Sequence, residues 1–311
     1  MSGDGVYVTL QDLIALQYRA RGFSFLPRQP IHSLLTGKHA SRMRGRGLNF
    51  EELRVYLPGD DPRTIDWKVT ARTQKPYVRV FTEERDRPAM LVVDQRLSMF
   101  FGSKVSMKSV TAAETAALGA WRVLSVGDRV GALVFDDSHI AEVSPHRSRQ
   151  TVMRILQAVV EKNNALRADA DVEPNPGMLN EVLETVVRKA AHDYLIGIIS
   201  DFDGADETTT RIVTRLAQHN DVLALSIYDP LATDLPDRGR WAVSDGELQV
   251  EMDIAQTKVR KRVAEFADQR LQAIMSWQRE LGVPVIPLTT DEDPAAQVRR
   301  LLGYAPRGQR R

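Results

Sequence analysis

A chain of 311 residues, 43% hydrophobic and 27% charged, has the composition of an ordinary globular protein, with enough apolar side chains for a full core. Its length exceeds one typical α/β domain, so a large domain with an extra subdomain is expected. A formal net charge of +1 supplies no global field toward nucleic acid or membrane, and the lack of cysteine excludes disulfides, thiolate metal sites and cysteine nucleophiles.

The first residues, Met1 to Gly5, carry neither a basic n-region nor an apolar h-region, which reads against a signal peptide. No window approaches about 18 uninterrupted apolar residues, so no membrane span is expected and the cytoplasm is the default location. Leu10, Leu13, Ile14 and Leu16, with Gln17, set out a short amphipathic helix over residues 10–20. A stretch rich in Gly, Pro and Arg follows, to about Gly47. Between Asp12 and Glu51 there is no acidic residue, but there are Arg19, Arg21, Arg28, Lys38, Arg42, Arg44 and Arg46. Pro58-Gly59 marks a turn. Asp61-Pro62 suits a helix start, Asp as cap and Pro in the first helical position, with the helix running to about Arg72. Residues 77–81 alternate as a half-buried strand does.

From Pro88 the pattern changes. Met90-Leu91-Val92-Val93 is a continuous apolar run, as a strand covered on both faces requires. An alanine-rich helix is expected over 105–125. Strands follow over 128–135 and 139–143, joined as a hairpin at Asp136-Asp137-Ser138, then helices over 148–162 and 178–191. A buried strand at 194–199, a helix at 206–219 and a strand at 222–228 come next. A small hairpin covers 240–251. A long helix over 256–281 carries Val259, Val263, Phe266, Ile274, Trp277 and Leu281 as its apolar stripe. A last strand at 283–288 and a short helix after Asp293-Pro294 close the chain. Alternating strand and helix from residue 89 onward means an α/β fold, a doubly wound, mostly parallel sheet with helices on both faces. Ligands of such sheets gather at the carboxyl ends of strands, where Asp94 and Asp201 stand.

Three stretches carry a family resemblance. The run from Gly47 to Lys68, with Pro58, Gly59, Asp60, Asp61, Arg63, Asp66 and Trp67, resembles the signature of the domain-of-unknown-function 58 family. Val78-Arg79-Val80-Phe81-Thr82-Glu83-Glu84 fits the strand that follows it, and Leu91-Val92-Val93-Asp94 fits the first strand of the family's main domain. The similarity covers about residues 40 to 230. It implies a von Willebrand factor A-like fold and the company of MoxR-type AAA+ ATPases, thought to act as chaperones in complex assembly. It implies no reaction. Residues 47–88 are then a signature subdomain of α+β type and 89–303 the von Willebrand factor A-like domain, between a basic N-terminal helix-and-loop segment, 1–46, and a basic tail, 304–311.

Von Willebrand A domains often hold a divalent cation through a D-x-S-x-S loop, a Thr in a second loop and an Asp in a third. This sequence keeps only part of that pattern. Asp94 and Ser98 match the ends of the first loop, but Arg96 replaces the middle serine. The second loop reads Gly177-Met178 where the family would show Gly-Thr. Asp201 matches the third, with Asp203 close by. Mg²⁺ demands near-octahedral hard oxygen ligands. A guanidinium about 4 Å from a dication, at an effective dielectric of about 20, costs roughly 8 kcal/mol. The expectation is therefore a degenerate, metal-free loop in which Arg96 pairs with Asp94 or Asp201, Mg²⁺ at Asp94, Ser98 and Asp201 being the alternative.

The acids Asp60, Asp61, Asp66, Glu83 and Glu84 could serve a metal-dependent hydrolase, but the D-x-K spacing of Asp66-Trp67-Lys68 is short and falls in an expected helix. The structural reading makes Asp61 a cap, places Arg63, Asp66, Arg72 and Arg79 in an ion-pair network with Glu83 and Glu84, and makes Trp67 an anchor. The basic stretch, with Arg42, Arg44 and Arg46, could bind nucleic acid with help from Tyr18, Phe23 and Phe25, or dock on an acidic partner. The histidines show no metal-ligand spacing, and no nucleophile elbow or phosphate loop is present. The expectation is a non-enzymatic, cytoplasmic interaction module without cofactor, partnered by a MoxR-type ATPase or its client. Arg96, Asp203 and the basic stretch are its candidate binding residues, and a hydrolase or nucleic-acid binder is the alternative.

Overall fold

Six strands form the central sheet: β3 (Ala89–Asp94), β4 (Val130–Phe135), β5 (Ile140–His146), β6 (Leu195–Ser200), β7 (Asp221–Tyr228) and β10 (Val285–Thr289). Their order is β10-β7-β6-β3-β4-β5, with every pairing parallel except β4 with β5. The computed structural model describes residues 5–20, 48–58, 60–83, 87–167, 172–232, 240–244, 249–253 and 270–302. The chain divides into two compact units, one of residues 1–31 with 87–311 and one of residues 32–86.

In the larger unit, β3 and β4 are buried at every position, because helices cover both faces. One face carries α1 (Leu10–Ala15), α3 (Lys108–Val126), α4 (Arg149–Ala165) and α8 (Pro294–Leu301), around a core that includes Leu91, Val93, Leu118, Trp121 and Ile155. The other carries α5 (Met178–Lys189), α6 (Glu207–Ala217) and α7 (residues 270–280), around Val92, Leu133, Ile198, Phe202 and Trp277. Each fully buried Val, Leu or Ile contributes about 1.5–3 kcal/mol. Side chains start the helices: Ser148 caps α4, Asp206 closes a capping box on α6, and Asp293 precedes Pro294 at the start of α8. This is the doubly wound, mostly parallel α/β architecture expected of the sequence.

Several elements differ from expectation, each for a local reason. The first helix ends at Ala15 and tightens into a 3₁₀ turn, Leu16–Tyr18. Residues 5–20, placed by the sequence in an N-terminal segment of their own, contribute Val8, Leu13, Leu16 and Ala20 to the main core, and the indole Nε1 of Trp121 donates to the Leu13 carbonyl at 3.0 Å. The helix expected from Asp61 to Arg72 is two pieces. Asp61 caps a 3₁₀ turn, Pro62–Thr64; Ile65 bridges to Val78; and Asp66 then accepts from the backbone of Lys68 and Val69 to start α2 (Trp67–Thr73). Asp66-Trp67-Lys68 thus straddles a helix start instead of lying inside a helix. Of the long helix over 256–281, residues 270–280 are helical, and 254–269 lie outside the described residues.

The smaller unit holds an antiparallel pair, β1 (Leu48–Val55) with β2 (Tyr77–Glu83), and α2. Strand β1 escaped the sequence reading because a bulge between Phe50 and Glu52 breaks the two-residue alternation. Elsewhere β8 (Arg240–Ser244) pairs with β9 (Gln249–Asp253) as the expected hairpin. Among the described residues, no helix is long and apolar enough to cross a membrane.

Candidate functional site

Strands β3 and β6 are adjacent, yet the chain leaves β3 toward β4 and β5 and leaves β6 toward β7 and β10. That reversal opens a crevice at their carboxyl ends, the place where ligands of such sheets sit. Asp94 is the last residue of β3 and Asp201 the first after β6, so both carboxylates face the crevice from neighbouring strands.

Arg96 fills it. Its Nη2 donates to Asp94 Oδ2 at 2.7 Å, its Nε to Asp94 Oδ1 at 3.0 Å, and its backbone N–H to the same Oδ1 at 3.0 Å. The remaining donors reach the carbonyl oxygens of Asp203 at 3.1 Å and Pro176 at 3.4 Å. The guanidinium lies 5.5 Å from the centroid of the Phe135 ring and 3.9 Å from Asp201. Arg96 is 1% exposed and Asp94 fully buried. One side chain therefore joins the β3 loop, the loop before α5 and the loop after β6.

The surrounding groups complete the network. Ser200 donates to Asp94 Oδ2 at 2.6 Å, and Lys108, in the first turn of α3, donates to Asp201 Oδ2 at 2.5 Å. Ser98 Oγ donates to Asp201 Oδ1 at 3.4 Å, and the Asp203 backbone N–H donates to that oxygen at 3.0 Å. Arg270 pairs with Asp203 at 2.5 Å. Phe202, between the two acids, has φ 55° and stacks edge-on against Trp277. That left-handed backbone costs on the order of 1 kcal/mol and is held by burial of its ring. Beside the network a cleft of about 100 Å³ is lined by Phe101, Lys108, Asp201, Tyr228, Asp229 and Arg270.

The electrostatics follow from burial and pairing. Burial raises Asp94, against the pull of Arg96. Burial also opposes charge on Arg96, but Asp94, by charge and hydrogen bonds, reverses this and drives the guanidinium pKa still higher. For Asp201 burial works upward, and Lys108 and Arg96 outweigh it, holding the carboxyl at about 2.

A dication here would need oxygens that are already engaged. Both Asp94 oxygens accept from Arg96, and Ser200 adds a bond to one; Lys108 holds Asp201. Met178, at the position where a Thr oxygen would be needed, is the first residue of α5 and is buried in the core. The residues present do not fit a six-oxygen shell around Mg²⁺. Among the described residues, no group of three or more His, Asp or Glu is disposed to hold a metal.

Asp94, Arg96, Ser98, Asp201 and Asp203 are thus brought together, whereas the described acids Asp60, Asp61 and Asp66 of the smaller unit each serve a local partner. Asp60 pairs with Arg54 at 2.7 Å, Asp61 accepts from the Arg63 backbone, and Asp66 caps α2. Trp67, read as an anchor, is 69% exposed. Gly59, Arg42, Arg44 and Arg46, and the side chains of Arg79, Glu83 and Glu84, lie outside the described residues, as does the basic tail 304–311. Sequence reasoning missed Lys108, Ser200 and Arg270, and two buried acids. Asp229 accepts from Ser103 and Thr290, and Asp137 accepts from the backbone of Leu97 and Asn175. A signal was present: an Asp follows the carboxyl end of β4, β6 and β7 alike, at Asp136, Asp201 and Asp229.

Fold and site together define an α/β sheet protein whose carboxyl rim is closed by ion pairs. Residues 52–272 match the model of the protein of unknown function DUF58, and the chain belongs to that family. It is 30% identical over 285 residues to an uncharacterized protein of Mycobacterium bovis, covering 90% of this chain and 87% of that one. Among solved structures it is similar to the SpRpn10 VWA domain, with TM-score 0.41 and 10% identity over 71% of this chain and 99% of that one. It is also similar to the conserved hypothetical protein BatB from Bacteroides thetaiotaomicron, with TM-score 0.37 and 10% identity over 68% and 93%.

Proposed function

We propose that this protein is a non-enzymatic interaction module whose carboxyl rim is recognised by a protein partner, a MoxR-type AAA+ ATPase or that ATPase's client. The observation that carries the reading is the buried pair of Arg96 and Asp94 at the switch point of the sheet. A guanidinium with five fixed donors ties together the loops that a dication would otherwise organise, and it offers no open coordination position for chemistry. Lys108 and Arg270 line the cleft beside the network, where a partner's side chains gain orientation. Among the described acids of the smaller unit, Asp61 and Asp66 serve as caps and Asp60 is held in an ion pair, which favours recognition over hydrolysis.

The test is direct binding between the purified full chain and a MoxR-type ATPase encoded in the same genome, followed by calorimetry with EDTA or with Mg²⁺ present. The expected result is an affinity that does not depend on Mg²⁺ at this protein and that falls in Lys108→Glu. Micromolar Mg²⁺ binding that vanishes in Asp201→Asn would overturn the metal-free rim. Hydrolysis of a phosphoester with Mn²⁺, lost in Asp61→Ala, would overturn the non-enzymatic reading.

A further inference from the structure

We infer that residues 5–8 clamp the rim: seated, they hold the loop between β3 and α3, with Arg96 and Ser98, and Lys108 at its end, in the form that a partner recognises, and their release lowers the rim's affinity. The inference rests on the interaction-module reading and names the regulation of that same site. It stands on three contacts, spaced along residues 95–107.

At the near end stands Gln95, between Asp94 and Arg96 in sequence, with its side chain turned toward α3 and α4. Gln95, Asn163 and Ser109 are wholly buried. The Val8 N–H donates to Asn163 Oδ1 at 3.0 Å, Asn163 Nδ2 donates to Gln95 Oε1 at 3.0 Å, and Gln95 Nε2 donates to the Ser109 carbonyl at 3.0 Å. Thr9 is the N-cap of α1, so the Val8 N–H lies ahead of the helix and is spared for this relay. In the middle, the Tyr7 ring meets Phe100 with centroids 5.7 Å apart, at the end of the 3₁₀ turn that follows Arg96. At the far end, the Gly5 carbonyl accepts from the Met107 N–H at 2.8 Å, next to Lys108, the first residue of α3 and the partner of Asp201.

The relay makes the rim conditional on these residues. A buried polar group left without its partner costs more than the bond contributes, so withdrawing Val8 orphans Asn163 Oδ1 in a dry interior and loosens its hold on Gln95. Asp94 and Arg96 flank Gln95, so a shift there moves the Arg96 N–H that Asp94 Oδ1 accepts. Gly5 shows how close the two segments run. Its φ is +76°, and a Cβ would stand 2.1 Å from the Val105 carbonyl oxygen. An L side chain there both strains its own backbone and forces the segments apart.

The experiment uses the full chain with nitrogen-labelled arginine and tryptophan and reads proton exchange by NMR at two side chains. Arg96 Nε donates to both oxygens of Asp94, and Trp121 Nε1 donates to Leu13, reporting that α1 is seated. Gly5→Ala and Asn163→Leu are the test variants. Gly5→Ala alters no core side chain, so it decides the matter even if Asn163→Leu does not fold. Gly282→Ala is the control for backbone strain, with nothing within 4 Å of the added Cβ. In both test variants, exchange at Arg96 should quicken at least tenfold over the control while Trp121 exchanges as in the wild type, and affinity for the ATPase of the parent test should fall at least threefold. The inference falls if Arg96 exchanges as in Gly282→Ala, or if Trp121 quickens in step with it, because the opening is then global. It also falls if Lys108→Glu weakens partner binding while Gly5→Ala, with Arg96 loosened, leaves it unchanged. Should Lys108→Glu itself leave partner binding unchanged, the parent reading fails, and the exchange rates still decide whether residues 5–8 hold Arg96.

Discussion

The guanidinium of Arg96 grips both oxygens of Asp94, at 2.7 Å and 3.0 Å, with neither side chain open to solvent. Such a pair need not add net stability against an apolar substitute of the same shape, but removing one partner strands a charge in the interior, at about 3–5 kcal/mol. Arg96→Met and Asp94→Asn are therefore each expected to lose about that much in urea unfolding. The double variant should lose less than the sum, because neither charge is left alone.

Arg96→Ser is the informative replacement for metal. It clears the cation from the rim and restores a hydroxyl at the middle loop position, leaving Asp94, Ser98 and Asp201 as hard donors. We expect millimolar Mg²⁺ to raise the melting temperature of this variant and not that of the wild type. Equal shifts in both proteins would contradict the account of Arg96 as the neutralising group.

Acid should loosen the rim through Asp201. Its folded-state pKa of about 2 lies below the ordinary 3.8, so ionised Asp201 favours the fold at pH above 3.8, and that contribution disappears as pH falls toward 2. The magnitude is on the order of 2 kcal/mol. Stability measured between pH 2 and 6 should show this slope in the wild type and a flatter one in Lys108→Met, which lacks the main cation holding Asp201 ionised.

Glu114 on α3 should act in the opposite sense. Burial first, and then Asp293, push it to about 7, only partly offset by Arg19. A carboxyl raised above its ordinary 4.5 favours the fold while protonated, and loses that advantage as pH rises through 7. Glu114→Gln should match the wild type near pH 4 and exceed it at pH 8 by about 3 kcal/mol, read from paired urea curves.

The sheet was readable because its strands are covered on both faces, so that 90–93 and 195–199 stand out as unbroken apolar runs. The half-covered hairpin was harder. Strand β1 mixes Asn49, Glu51 and Glu52 with apolar residues and carries a bulge, so no period of two survives. The rim was legible where it follows a strand end, as at Asp94 and Asp201, and illegible where it depends on contacts across the fold. Lys108 meets Asp201 across 93 positions, and nothing in an alanine-rich helix announces that its first lysine turns inward. Arg96 stood out only because a guanidinium occupies a position where a hydroxyl was expected.

Gly204 tests whether the loops around Arg96 are held by their backbone. Its φ of +77° suits glycine, and a Cβ there would stand 2.6 Å from Pro176 Cβ and 2.7 Å from the Pro176 carbonyl oxygen. That carbonyl and the one of Asp203 are two of the acceptors that Arg96 binds. Gly204→Ala must therefore both strain its own backbone and spread the two loops. Gly282 separates these effects, since its φ is +67° with nothing within 4 Å of a built Cβ. Gly282→Ala should lose only the conformational cost of about 1 kcal/mol. Gly204→Ala should lose clearly more, and should weaken binding of the partner proposed for the rim where Gly282→Ala leaves it intact. Equal losses in urea, with partner affinity unchanged in both, would mean that the loops yield without disturbing Arg96.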